Sequence, residues 1–259
     1  MGRWLGSRQA NLEIIETNGV RQLHLGGSAI QSALRLATPD RLELHYTRAL
    51  LGVLLFHPAP HEMLLVGLGG GSIARFVHAF LPDVRLTAVE LDARMPAVAR
   101  AHFGLPPDDA RLAVRVEEGF AHLAANPATY DVVLLDAFEN NQPAASLCNP
   151  LAYAAARAAL RANGVLAQNF MASAGQLETR LPALREAFDG RVLLMLTGDG
   201  ANLIAFAFRD PPAEFLLPAL QAEAVRLEPA LQIGLGRTLQ ALEQMNTIVD
   251  DTLRCRVEA

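Results

Sequence analysis

Residues 64 to 72 read LLVGLGGGS, an apolar run that breaks into Gly67, Gly69, Gly70 and Gly71 and ends on a serine. A glycine turn between a strand and a helix lets a ligand approach the backbone closely. Such a loop can hold a phosphate, a dinucleotide or the amino-acid tail of a sulfonium nucleoside. Against the dinucleotide fingerprint G-x-G-x-x-G it supplies Gly67 and Gly69 but has Ser72 in the third place, so the loop alone does not choose. The next strand-like run, RLTAVELD, carries Glu90 about twenty residues beyond the glycines, where a carboxylate accepts hydrogen bonds from both ribose hydroxyls. Two more strand ends carry acids. One is Glu117-Glu118-Gly119, with Glu118 or its neighbour Glu117 turned toward a nucleobase, and the other runs from Asp136 to Glu139. Acids at successive strand ends suit a nucleoside with a cationic reacting centre and repel a pyrophosphate.

Composition removes several other chemistries. All 22 basic side chains are arginine, and without lysine neither a Gly-Lys-Ser phosphate loop nor Schiff-base catalysis can operate. The formal charge of −5 gives no basic footprint for nucleic acid or anionic membranes. Cys148 and Cys255 stand far apart, and the seven histidines show no ligand spacing, so neither a disulfide framework nor a metal site is expected. The opening residues lack an apolar signal region and no stretch is long enough to span a bilayer, which together with the cysteine usage leads us to expect a cytoplasmic protein.

The elements that must position these residues are legible as alternations. LEIIETNGVRQLHL places two alternating runs around Asn18-Gly19, the strongest short signal for a hairpin with a type I′ turn. RLELHYTRALLGVLLF, residues 41 to 56, has helical spacing. From Glu62 onward, short apolar strands alternate with amphipathic helices, the pattern of a doubly wound, mostly parallel sheet covered on both faces. RVLLMLTGD and NLIAFAFRD predict an antiparallel hairpin closing its edge, and residues 211 to 259 read as helical. We expect a hairpin unit over residues 1 to 40 and a Rossmann-like nucleoside-binding domain over 41 to 259.

The sequence resembles the spermidine synthase family, a branch of the class I methyltransferase-like fold. The carriers are the NG hairpin followed by GGSAIQSA, then LELHYTRALLG, VGLGGGSIAR, AVELD, EEGF and LLDAFENN. The resemblance implies passage of an aminopropyl group from decarboxylated S-adenosylmethionine to an amine, without a metal and in a homo-oligomer, a dimer or a tetramer. It implies Glu90 on the ribose and Glu118 on the adenine amino group. Asp136 would hold and deprotonate the attacking amine, Tyr46 would contact it, and Gln31 and Glu139 would bind substrate. An ammonium has no lone pair, so transfer requires a carboxylate to take its proton as nitrogen attacks the carbon beside sulfur.

The pattern also departs from the family. Its loop G-G-G-D-G-G carries an aspartate for the ammonium of the donor's propylamine arm, and here that position is Gly70. Glu139 replaces a second aspartate, and Leu196-Thr197-Gly198-Asp199-Gly200 replaces an aromatic stretch. Free N–H groups at Gly70, Gly71 and Ser72, at a helix N-terminus, would favour a carboxylate, as in intact S-adenosylmethionine. A methyl or other alkyl transferase, and a non-catalytic nucleoside or polyamine binder, therefore stand beside the aminopropyl reading.

Overall fold

The computed structural model describes residues 3–4, 12–26, 30–139, 142–172, 177–210 and 214–255. A small antiparallel sheet comes first: β1 (Arg3–Trp4), β2 (Leu12–Thr17), β3 (Val20–Leu25) and β4 (Ile30–Arg35), paired in that order. Asn18 and Gly19 take φ of 52° and 73°, the paired positive values a type I′ turn requires, with Thr17 facing Val20 across it. Leu12, Ile14, Leu23 and Leu34 bury one face of this sheet against Met95 and Phe103 of the main domain.

The predicted helix over residues 41 to 56 is shorter. Helix α1 spans His45–Leu50 and tightens into a 3-10 segment, Leu51–Leu55; residues 41 to 44 stay outside it, with Leu44 extended at its start. Gly52 lies where a Cβ would meet Thr238 Cγ2 at 2.7 Å, so the segment can press onto the layer beyond only without a side chain there.

Strands and helices then alternate: β5 (Glu62–Val66), α2 (Ser72–Phe80), β6 (Arg85–Glu90), α3 (Met95–Phe103), β7 (Leu112–Val116), α4 (Gly119–Ala125) and β8 (Tyr130–Leu135). A two-stranded ribbon follows, β9 (Phe138–Glu139) with β10 (Gln142–Pro143). Helix α5 (Pro150–Ala159) starts on Asn149, whose side chain accepts from Ala152 N, and on Pro150. After it come β11 (Leu160–Met171), α6 (Leu177–Ala187), β12 (Val192–Leu196) and β13 (Asn202–Phe208).

Seven strands form one sheet in the order β12-β13-β11-β8-β5-β6-β7. The five strands from β11 to β7 run parallel, and β13 pairs antiparallel with both β11 and β12, the edge hairpin expected from the sequence. The strands are apolar throughout because both faces are covered. In β5, Met63 and Leu65 enter the core that holds α1, α2 and the last helices, while Leu64 and Val66 enter the core of α5 and α6.

The C-terminal segment carries more than helices. It contains β14 (Glu214–Leu216), α7 (Leu217–Leu231), α8 (Leu235–Met245), β15 (Thr247–Val249) and β16 (Thr252–Arg254), with the three strands forming a small antiparallel sheet. Its tight turn rests on Asp250 and Asp251, both at positive φ, a use of aspartate that the helical reading overlooked.

Candidate active site

Strand order reverses at β5, with β6 on one side and β8 on the other, and the crevice of a doubly wound sheet opens at such a switch point. Gly67 sits at its base with φ of 101°, and a Cβ there would stand 2.4 Å from the carbonyl oxygen of Asp136. Glycine lets the ends of β5 and β8 pass in contact, so the loop and Asp136 share one floor. Above them opens a cleft of about 280 Å³. Its polar walls include Gln31, Glu90, Asp92, Glu117, Glu118 and Asp136, and its apolar walls include Val66, Leu91, Met95 and Leu147.

Glu90 is wired into the glycine loop. One carboxylate oxygen accepts from Leu68 N at 3.0 Å and Gly69 N at 3.3 Å, and the other accepts from Asp92 N at 2.9 Å. The remaining loop amides are also committed: Gly67 N donates to Val89 O at 2.9 Å, Gly70 N to Ser32 Oγ at 2.7 Å and Gly71 N to Leu68 O at 2.8 Å. All five amides from Gly67 to Gly71 are thus used inside the protein. This corrects the expectation of free amides at Gly70 and Gly71. Neither residue lines the cleft, since a Cβ on Gly70 would meet Ser32 and Phe103, and one on Gly71 would meet Leu105.

Asp136 follows β8, half-buried. Withdrawal from water pushes its carboxyl group up to about 7, opposed by the hydrogen bond that Asn169 Nδ2 donates to its Oδ1 at 3.0 Å. Asn169, 2% exposed on β11, has its own amide oxygen held by Asn202 Nδ2 at 2.9 Å. Two amides in series therefore leave Oδ2 of Asp136 as the oxygen without an asparagine. The reading of the sequence missed both. The available signal was Gln168-Asn169, a polar pair inside the otherwise apolar run GVLAQNF.

Tyr46, on α1, stands close enough to feel the charge of Asp136. Burial first, and Asp136 second, push its phenol well above the ordinary value, so it stays protonated. Its hydroxyl donates to the backbone oxygen of Gln31 at 3.0 Å, joining α1 to β4. Gln31, Tyr46 and Asp136 thus meet around a smaller cavity next to the main cleft.

The two acids after β7 are divided between tasks. Glu118 is the N-cap of α4, with Oε2 accepting from Ala121 N at 2.8 Å, while Glu117 contacts His122 Nδ1 at 2.8 Å; both still face the cleft. Gly119 lets α4 approach, since a Cβ would lie 2.5 Å from Val66 Cγ1. The side chain of Glu139 lies outside the described residues. Among the described residues no cluster of three or more histidine, cysteine or acidic side chains could hold a metal, and no helix is long and apolar enough to cross a membrane.

Residues 43–203 match the spermine/spermidine synthase domain model. The chain belongs to the spermine/spermidine synthase family. A polyamine aminopropyltransferase of Chromobacterium violaceum is 32% identical over 235 residues, covering 91% of this chain and 90% of that protein. The fold is similar to a spermidine synthase solved in complex with the transition-state analogue AdoDATO, at a TM-score of 0.76 and 20% identity over 93% of this chain and 85% of that one. It is also similar to human methyltransferase-like protein 13 in complex with SAH, at 0.61 and 26% identity over 80% and 95%. The space beside Gly70 is filled by Ser32 and Phe103.

Proposed function

We propose that the protein transfers an aminopropyl group from decarboxylated S-adenosylmethionine to an amine. The nitrogen attacks the carbon beside the sulfonium, the C–S bond breaks with its electron pair going to sulfur, and methylthioadenosine leaves as a neutral thioether. The proton lost by the attacking ammonium passes to Asp136. Glu90 receives the ribose hydroxyls on the lone pairs not turned to Leu68, Gly69 and Asp92, and the apolar wall of Val66, Met95 and Leu147 takes the base, with Glu117 or Glu118 at its polar edge. Tyr46 and Gln31 position the acceptor. The observation that carries this reading is Asp136, a partly buried carboxyl group held near neutrality on the floor of a cleft whose other ionisable walls are acidic.

The likeness to methyltransferase-like protein 13 supports a second reading, transfer of an alkyl group from intact S-adenosylmethionine. Calorimetric titration with decarboxylated S-adenosylmethionine, S-adenosylmethionine, methylthioadenosine and S-adenosylhomocysteine separates the two. Preference for decarboxylated S-adenosylmethionine over the intact compound supports the first reading, and the reverse order overturns it. Asp136→Asn should keep methylthioadenosine affinity within about threefold while turnover falls by about 10²–10⁴. Undiminished turnover would remove Asp136 from the reaction.

A further inference from the structure

Helix α1 also borders a pocket of about 280 Å³ that shares no residue with the main cleft or with the smaller cavity beside it. The helix turns Tyr46 and Thr47 to that smaller cavity, and His45, Arg48 and Ala49 to this pocket. The floor is apolar: Ala49, Met195 and Ile233 line it, all buried. The rim is basic. Arg48 from α1 and Arg237 from α8 both face the pocket, His45 stands at its exposed edge, and no carboxylate lines it. Acids close by in the chain are engaged elsewhere: Glu43 pairs with Arg35, Asp199 accepts from Thr197 Oγ1 at 2.6 Å, and Glu228 accepts from Gly234 N at 2.9 Å and Leu235 N at 2.8 Å. The arginines are not neutralised in turn. Arg48 donates Nε to Leu42 O at 2.7 Å and Nη2 to Glu43 O at 3.3 Å, which fixes its guanidinium and leaves Nη1 over. Among the described residues neither arginine forms an ion pair, and the side chain of Arg237 has no hydrogen-bond partner. Gly234 makes room for it: at a φ of 80°, a Cβ there would stand 2.9 Å from Nη2 of Arg237 and 3.1 Å from its Nε, so the guanidinium lies against bare backbone. Two guanidiniums on one recess repel until an anion joins them, and their forked donors match a tetrahedral oxyanion.

We infer that this pocket binds a small organic phosphate, with the phosphoryl group on Arg48 and Arg237 and the organic body on the floor of Ala49, Met195 and Ile233. The inference is independent of the proposed transfer, since the pocket and the nucleoside cleft have no residue in common. The test is calorimetry on the full chain with phenyl phosphate, inorganic phosphate and phenol as probes. Phenyl phosphate should bind about tenfold tighter than inorganic phosphate, the scale of partly burying one ring, and phenol should not bind measurably. Arg237→Gln changes an exposed residue without side-chain partners, so it should fold as the wild type does and weaken phenyl phosphate about tenfold, the scale of one hydrogen bond to a charged group. Arg48→Gln should weaken it comparably, and is read beside its thermal midpoint because it also loses two bonds to the backbone. Asp136→Asn should leave the affinity unchanged. Absence of phenyl phosphate binding, or binding undiminished in Arg237→Gln, would overturn the site. Affinity altered in Asp136→Asn would place the phosphate in the main cleft and overturn it equally. Inorganic phosphate binding as tightly as phenyl phosphate would overturn the role given to the apolar floor.

Discussion

The carboxyl group of Asp136 ties catalysis to stability through one proton. Its folded-state value, about 7, lies above the ordinary 3.8, so the native chain holds the proton more tightly than the unfolded chain does. Stability from this group is therefore fully present below the unfolded value and is lost as pH rises toward 7. Asp136→Asn should match the wild type in thermal midpoint near pH 4 and exceed it at pH 8. After discounting for the partial exposure of the group, the gain is on the order of 1–2 kcal/mol. A midpoint that is lower at pH 8 would contradict the assignment. The same ionisation gives activity its acidic limb, with kcat/KM rising as pH approaches 7. Because Asn169 donates to the ionised form, Asn169→Ala should move that limb upward by about one pH unit. Asn202→Ala, whose side chain is linked to Asp136 through Asn169, should move it less and in the same direction. A purely structural asparagine pair would lower expression or midpoint and leave the limb where it was.

At the scale of elements, the glycine loop is a packing device before it is a ligand device. Gly67→Ala places a Cβ 2.4 Å from the Asp136 carbonyl at a φ of 101°, so it should separate the ends of β5 and β8 and abolish methylthioadenosine binding. The loss of stability should be about 2–4 kcal/mol by denaturant titration. Gly70→Asp, which would restore the acid of the family pattern, should destabilise as well, because its Cβ would lie 2.8 Å from Ser32 Cβ and 3.2 Å from Phe103 Cγ. Gain of donor affinity in that variant would show the neighbours yielding instead. What was legible in advance follows the same division. Asn18-Gly19 announced its hairpin because few residues tolerate paired positive φ, and the strand runs announced a covered sheet because both faces demand apolar side chains. Glu90, Asp136 and Tyr46 could be singled out because acids at strand ends and a tyrosine in a family pattern mark positions along the chain, and the fold brings them to two adjoining cavities. The direction of the Gly70 amide was not legible, since it is decided by Ser32, 38 residues earlier in sequence and on another sheet. Nor was the bond from Asn169 to Asp136, which crosses between neighbouring strands β11 and β8. The strands beside Asp250-Asp251 were missed because runs of three residues carry too little alternation to compete with the helical segment before them.

Among the described residues, charge is distributed so that the cleft presents one sign. Several arginines on the outer surface are matched with acids, as in Arg85–Glu62, Arg100–Asp108 and Arg226–Glu223, whereas no arginine or histidine lines the cleft. Of the cleft acids, Asp92 is paired with Arg94 and Glu117 contacts His122, neither of which lines the cleft, whereas Glu90, Glu118 and Asp136 form no ion pair among the described residues. A low-dielectric recess lined this way concentrates cations ahead of binding, and a sulfonium donor and a protonated amine are both cations. Exposed charges farther apart than about 8 Å are screened at physiological salt, so the outer pairs contribute little and the cleft acids carry the field. Raising salt from about 20 to 300 mM should therefore lower kcat/KM for the cationic substrates by about tenfold while kcat at saturation stays within a factor of about two. Binding of methylthioadenosine, which is neutral, should hardly move across the same range, so the comparison isolates attraction of charge from any general effect of salt on the fold. Equal salt dependence for the neutral and the cationic ligands would mean that the acids act only in contact. The net charge of −5 would then be a property of the surface without consequence for capture.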